Sequence, residues 1–362
     1  MADRPEPATI RALRAENPKA RARDFAALHG ITEAELVAAW CGQPAGPDGG
    51  QTVTRIDATP AQLVPMICDL GDVLALTRNE SCVHERRGAY QNFQPGDHAA
   101  VVLGAEIDLR LFPAYWVHGF AVEETTAEGI KRSLQIFDAH GDAVHKVHLK
   151  PESDVAAYGR LVAALRRADA PLALTPRPAT ESAKADPARA EALRAEWDRM
   201  TDTHQFVKLT RKLRMNRLGA YRIAGAPYAQ PLATDAVTRA LTLAAEDRIP
   251  LMIFVGNPGC IQIHGGVVEK IVPMGPWINV MDPRFNLHLR ADHIAEVWLV
   301  NKPTRHGAAI SVEAFDADGG LILQIFGQRS AGGWDAWNAL TLTLPAPETA
   351  PQATAETAAV PA

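Results

Sequence analysis

The chain has 362 residues, 47% of them hydrophobic, enough for two ordinary domains or one large duplicated one with well-buried cores. A formal net charge of -5 lacks the basic excess of a phosphate-tracking surface, so no nucleic-acid partner is expected. No stretch approaches the roughly 18 consecutive apolar residues that span a bilayer. The opening MADRPEPATIRALRAENPKA has no apolar signal core, and Cys41, Cys68, Cys82 and Cys260 form no C-x-x-C pair. The expectation is a cytoplasmic protein with no stable membrane insertion, disulfide framework or structural zinc.

In chain order, PKARARDFAALHG and ITEAELVAAW place Phe25, Leu28 and Ile31, then Leu36 and Trp40, at spacings that predict two short amphipathic helices. Short runs punctuated by Gly, Pro, Asn and Asp follow and predict strands, with a turn at DAHGD from Asp138. In EIDLRLF, Ile107, Leu109 and Leu111 alternate with Glu106, Asp108 and Arg110, which puts Arg110 on a polar face. His145 and His148, in HKVH, face opposite ways on an expected strand and make poor joint ligands. PLALTPRPATESAKADPARA, from Pro171, has the composition of an exposed linker. EALRAEWDRMTDTHQFVKLTRKLRM reads as one longer amphipathic run carrying His204, followed by the basic residues Lys208, Arg211, Lys212, Arg214 and Arg217. Arg217 opens RLGAYRIAG, a Gly-containing exit from which a guanidinium could reach a carboxylate. In FNLHLR, Asn286, His288 and Arg290 form the polar side of a second alternating strand, and a second turn lies at DADGG from Asp316. The tail from Pro345, PAPETAPQATAETAAVPA, has almost nothing to bury and is expected to be disordered. On residue types alone, the favoured reading is a solvated surface for these polar faces and the basic cluster, and a surface or satisfied core position for the helical histidine.

An internal repeat organises these pieces. Sliding the sequence by 178 positions aligns VLALTRNESCVH with LMIFVGNPGCIQ, so that Asn79 falls on Asn257 and Cys82 on Cys260. Without a gap, IDLRL then meets FNLHL, placing Arg110 on His288, and SLQIFDAHGD meets SVEAFDADGG. The expected organisation is a first repeat at 9–170, a linker at 171–190, a second repeat at 191–344 and a tail at 345–362. Each repeat reads as helices packed on an antiparallel sheet, an α+β arrangement.

Nearly the whole chain resembles the bacterial haemin-degrading and haemin-transport proteins of the HemS, HmuS and ChuS type. The resemblance rests on ENPKARARDFAALHGITEAEL, TRNESCVHE, IDLRLF, HGDAVHKVH, EWDRMTDTHQF, MIFVGNPGCIQI, WINV, NLHL, KPT and FGQR. It implies a haem cleft between the two halves, with His204 of TDTHQF as axial iron ligand and Arg110 on the opposite side of the iron, Phe112 following in the cleft wall. It also implies Arg217 and Lys302 near the propionates, Met252 and Phe254 in the apolar pocket, and Gln324 and Phe326 near the ligand. Phe326 stands where relatives often carry Tyr, so no hydroxyl contact is available there. His84 and His288 match positions considered in some relatives for an additional haem contact, while a single cleft is the simpler arrangement. The implied activity is oxidative haem breakdown that releases iron and draws on an external electron donor, within haem-iron uptake and beside the cytoplasmic side of a haem ABC importer; non-catalytic carriage or storage uses the same pocket. Oligomeric state is not readable.

Overall fold

The computed structural model describes residues 4–43, 50–329 and 332–347. The first repeat runs α1 (Pro7–Glu16), α2 (Ala22–Leu28), α3 (Glu33–Ala38), β1 (Gln51–Ile56), α4 (Pro60–Cys68), β2 (Val73–Arg78), β3 (Cys82–Gly88), β4 (Phe93–Gln94), β5 (Ala100–Leu103), β6 (Asp108–Leu111), β7 (His118–Thr126), β8 (Gly129–Phe137), β9 (Ala143–Leu149) and α5 (Val155–Leu165). Thr32 starts α3 with a capping box: its hydroxyl accepts from the Glu35 amide while Glu35 Oε2 accepts from the Thr32 amide at 2.7 Å. Phe25 of α2 and Leu36 of α3 are buried as the helical spacing predicts; Ile31 is buried too but lies between the two helices, and Leu28 is 76% exposed at the end of α2.

The second repeat runs α6 (Ala190–Asp198), α7 (Gln205–Lys212), α8 (Arg217–Ala224), β10 (Ala229–Leu232), α9 (Ala236–Glu246), β11 (Leu251–Asn257), β12 (Cys260–Gly266), β13 (Ile271–Met274), β14 (Trp277–Asp282), β15 (Phe285–Arg290), β16 (Glu296–Thr304), β17 (Gly307–Phe315), β18 (Leu321–Gly327) and α10 (Gly333–Thr341). The single long helical run expected around His204 is broken. Asp202 Oδ1 accepts from the His204 amide and Gln205 Oε1 from the Thr201 amide, both at 2.8 Å. Side chains that bond their own backbone in this way compete with the helix ladder. His204 therefore stands at the entrance to α7 and not in mid-helix.

Among the described residues the strands form two antiparallel sheets of nine, ordered β1-β7-β8-β9-β2-β3-β15-β14-β13 and β10-β16-β17-β18-β11-β12-β6-β5-β4. Each sheet thus takes six strands from one repeat and three from the other. The crossings are β3 with β15, where His84 opposes Leu287, and β12 with β6, where Ile261 opposes Arg110. The hydrophobic cores do not follow the exchange. Leu109 and Leu111 of β6 pack with α4, α5 and the rest of the first repeat, while Leu287 and Leu289 of β15 pack with α9, α10 and the rest of the second. Among the buried residues described in these two cores, only Cys82 and Cys260 are traded, each buried in the other repeat's core.

Two repeat-related asparagines fasten the crossing. Asn79 Oδ1 accepts from the amides of Ser81 at 3.0 Å and Cys82 at 2.9 Å, holding the β2–β3 turn, while Nδ2 donates across to Ile322 O at 2.8 Å and Gly256 O at 3.2 Å. Asn257 mirrors it, accepting from Gly259 and Cys260 at 3.0 Å and donating to Arg78 O and Val144 O at 2.9 Å. The segment joining the repeats is extended and largely exposed, and is tied at both ends. Thr175 donates its amide to Ala139 O at 2.8 Å, and Lys184 and Asn216 bond to one another at 3.0 Å. The expected disordered tail falls mainly on residues 348–362, outside the described residues.

Asn79→Ala strands two half-buried amides and two carbonyls at once, so it is expected to cost about 2–4 kcal/mol in urea unfolding. Asn79→Asp, which keeps the acceptor and loses the donors, should cost nearly as much. A loss below about 0.5 kcal/mol in both variants would show that the asparagine does not hold the crossing.

Candidate functional site

Directly opposed residues of antiparallel strands point to the same face, so the registers fix which side chains share a surface. On the second sheet Trp298 opposes Glu313, Glu313 opposes Gln324, and Ser311 opposes Phe326. Gln324 then opposes Phe254, Phe326 opposes Met252, Gly256 opposes Ile261, and Ile261 opposes Arg110. Lys302, two turns of the pleat beyond Trp298 on β16, lies on this face too. Six residues singled out from the sequence, Arg110, Met252, Phe254, Lys302, Gln324 and Phe326, are thereby brought onto one outer face. The strand exchange is what delivers Arg110, a first-repeat residue, to it.

Helices α6 to α8 cover only one end of the face. Trp197, Phe206 and Tyr221 pack there with Trp298, Val300 and Phe315. Beyond that cap, Met252, Phe254, Gln324, Phe326, Ile261 and Arg110 remain half-buried, and Phe254 meets Phe326 edge to face with ring centroids 5.3 Å apart. Phe112 prolongs β6, its amide donating to Gly259 O at 3.0 Å. The result, among the described residues, is an open apolar floor, crossed at its β6 edge by Arg110, which pairs with Asp108 one pleat before it on the same face.

The turn that carries His204 sits at the rim of the cap. Its neighbour Phe206 is buried over Lys302, whose Nζ lies 5.0 Å from the ring centroid, and the amide of Arg305, from the β16–β17 hairpin, donates to Thr201 O at 3.0 Å. The His204 side chain is 90% exposed, and its Nδ1 lies 2.7 Å from Asp202 Oδ1. An ionised carboxylate only accepts, so in the neutral imidazole Nδ1 carries the proton and Nε2 keeps a free lone pair.

Under the cap lies a buried charge cluster that the sequence reading only half anticipated. Glu313, with no exposed side-chain surface, accepts from Lys302 Nζ at 2.7 Å, Arg217 Nη1 at 3.0 Å, Tyr221 OH at 2.8 Å and Ser311 Oγ at 2.8 Å. Burial alone would raise the Glu313 carboxyl; Lys302 and Arg217 overcome it and hold it down at about 2. Lys302 is 2% exposed and committed to Glu313 and Tyr221, so in this conformation it does not open onto the surface. Arg217, bonded to Glu313 and Tyr221, keeps 28% of its side chain exposed. Two cations against one carboxylate leave one positive charge uncompensated beside the floor. Glu313, Tyr221, Phe206 and Asp202 escaped the sequence reading. The signal for Glu313 was a carboxylate embedded in the apolar strand ISVEAF, where it needs a buried partner.

The corresponding face of the first sheet is built differently. There Glu33 of α3 reaches down to Arg78 and to Lys146, the latter at 2.7 Å, and these cations hold its carboxyl at about 2 against the upward push of burial. His288 lies on this face, its Nδ1 2.7 Å from Asn279 Oδ1. His84 does not. It faces inward with no exposed surface, neither ring nitrogen has a partner among the described residues, and burial holds its imidazole well below the usual range and neutral. For the open question of an additional haem contact, the structure thus gives His84 no accessible ring nitrogen. His145 is likewise interior, bonded to Thr77 at 2.8 Å and Tyr90 at 2.5 Å.

Both carboxylates tie helices to sheets and both are held near 2 from an ordinary 4.5, so their stabilisation is complete above about pH 4.5 and lost as pH falls toward 2. Glu313→Gln, which leaves buried cations unbalanced, is expected to cost about 3 kcal/mol near neutrality and to flatten the acid limb of a stability–pH profile. An acid limb unchanged in the Glu33→Gln, Glu313→Gln double variant would rule these ties out as its origin.

The chain matches the family model described as the haemin-degrading HemS.ChuX domain over residues 30–165 and again over 214–344, once in each repeat. It is 39% identical over 321 residues, 88% of this chain and 90% of the relative, to the hemin transport protein HemS of Yersinia enterocolitica. Among solved structures it resembles holo-PhuS, a heme-binding protein from Pseudomonas aeruginosa, with TM-score 0.87 and 43% identity, covering 94% of this chain and 99% of that one. It also resembles ChuS, described as an E. coli heme oxygenase, with TM-score 0.81 and 35% identity, covering 91% and 98%. No helix among the described residues is long and apolar enough to cross a membrane. A twofold family match and close relatives over most of their length give one conclusion: the chain belongs to the haemin-degrading HemS/ChuX family.

Proposed function

We propose that this protein binds haem against the open face of the second sheet and breaks it down oxidatively, releasing iron, as a cytoplasmic step of haem-iron use. The observation that carries the reading is the open apolar floor of Met252, Phe254, Ile261 and Phe326, with an exposed His204 on the turn at the rim of the adjoining cap and an unbalanced cation under that cap. A porphyrin calls for that combination: apolar walls for its faces, a nitrogen donor for iron, and a cation for its carboxylates. Family membership supports the ligand. The description of ChuS as a heme oxygenase supports the chemistry.

In this reading His204 Nε2 is the axial iron ligand, and Arg110, held along its strand by Asp108, stands over the opposite haem face as a hydrogen-bond donor. Phe112, Met252, Phe254 and Phe326 supply apolar contact, and Gln324 the nearby amide. Arg217 pairs with a propionate. Lys302 acts through Glu313, balancing that carboxylate so that the charge of Arg217 is left for the ligand. Bound haem supplies the redox-active iron and is itself consumed, so electrons come from a donor outside the chain. Delivery from the cytoplasmic side of a haem importer fits the same reading.

Haemin titration and turnover of variants test the assignments. His204→Ala is expected to shift the Soret band and weaken binding by about 10-fold or more. Arg110→Ala should keep haem and slow reductant-dependent Soret loss by about 10-fold or more. An unchanged His204→Ala spectrum would remove His204 as ligand. Anaerobic loading followed by reductant and air, with catalase present, separates the chemistries. Soret loss with stoichiometric iron release is expected, and an intact spectrum with rapid transfer to an acceptor would replace breakdown with carriage.

A further inference from the structure

From the turn that precedes α7 we infer that Asp202 is a positioning residue, fixing the tautomer and ring orientation of His204 so that Nε2 alone is presented to iron; this rests on the proposed ligand role of His204. Asp202 Oδ1 makes two bonds to the same residue, accepting from the His204 backbone amide at 2.8 Å and lying 2.7 Å from its ring Nδ1. The first bond is enough to shape the turn. The second adds nothing to helix entry, but it orients the ring, which is otherwise 90% exposed and free to rotate.

The turn is itself held in place. Gln205 Oε1 accepts from the Thr201 amide at 2.8 Å, Gln205 Nε2 donates to Thr201 Oγ1 at 3.3 Å, and the Arg305 amide donates to Thr201 O at 3.0 Å. Phe206, next to Gln205, is buried among Trp197 and Tyr221. Asp202 is thus anchored on both sides, and a flexible surface histidine is presented with one nitrogen committed. A carboxylate on the far nitrogen does more than orient. By drawing on the Nδ1 proton it gives the ring anionic character and makes Nε2 the stronger donor, which favours ferric over ferrous iron.

Nitrogen NMR of the haem-free chain, with its histidines labelled, reads the tautomer directly. The neutral His204 ring is expected to carry its proton on Nδ1 in the wild type and to become a mixture in Asp202→Ala. In the haem-loaded protein, Asp202→Ala should lower the ferrous iron–histidine stretching frequency, raise the midpoint potential and weaken haem binding by about 10-fold. Asp202→Glu should recover part of each. A wild-type His204 protonated mainly on Nε2 would overturn the inference, whether or not the variants fold. So would an Asp202→Ala protein whose tautomer, stretch and potential all match the wild type. The two readings fail separately: an unchanged His204→Ala spectrum removes the ligand, while the tautomer of the haem-free chain still reports what Asp202 does to the ring.

Discussion

The reciprocal bonds of Asn79 and Asn257 are the constraint on which the proposed site depends. Each side chain closes its own hairpin with the oxygen and reaches the other repeat with the nitrogen. A net hydrogen bond contributes only about 1 kcal/mol, yet leaving a buried partner unmade costs more, so residues that satisfy several backbone groups at once act as locks. This lock sits at the turns that open β3 and β12, the strands that pair with β15 and β6. If the ladders stayed within each repeat, Arg110 would lie on the first sheet, away from Phe254 and Phe326. Exchange of hydrogen bonds without exchange of cores lets a first-repeat side chain serve a second-repeat surface while its neighbours Leu109 and Leu111 stay in their own hydrophobic cluster.

Duplication supplies two candidate faces, and their charges explain why they differ. On the first sheet Glu33 descends from α3 between Arg78 and Lys146. The repeat places Gly256 and Gln324 of the second sheet at the positions of those two cations, so neither of them is there to draw a helix carboxylate down onto the floor. The carboxylate of the second sheet is on the strand, at Glu313, and the helix contributes Arg217 instead. The polar tie moves under the α6–α8 cap and the floor beside it is left apolar and open. Buried ion pairs add little net stability compared with apolar packing, so their placement is better understood as deciding which surface stays clear.

Much of this was legible in the sequence. The repeat offset, the alternation of IDLRL and FNLHL and the helix-to-strand order of each half all reappear in the fold. The exchange was not legible, because alternation along a strand fixes which side chains share a face but not which strand lies alongside. Leu109 reads the same whether β12 or β3 is its neighbour. The interruption before His204 was written in Thr201, Asp202 and Thr203, residue types whose side chains can bond nearby backbone as Asp202 does, but the apolar spacing on either side outweighed them. For Lys302 the burial was hidden for another reason. A lysine in NKPT looks solvated until Glu313, eleven positions later, is folded against it.

The two groups proposed to meet haem therefore rest on unlike supports. The backbone of Arg110 belongs to a nine-stranded sheet, and its guanidinium is paired with Asp108 on the same strand. His204 projects from a turn, fully open to water, with Asp202 and the Thr201 contacts as its restraint. A ligand can approach from solvent without parting any core, so loading need not wait for unfolding of the cap. The same openness would leave an unrestrained imidazole spread over several rotamers, each of which must be surrendered on binding. Holding one ring nitrogen to a neighbouring carboxylate removes that loss beforehand, and an exposed turn can then hold a ligand nearly as well ordered as one carried on the sheet.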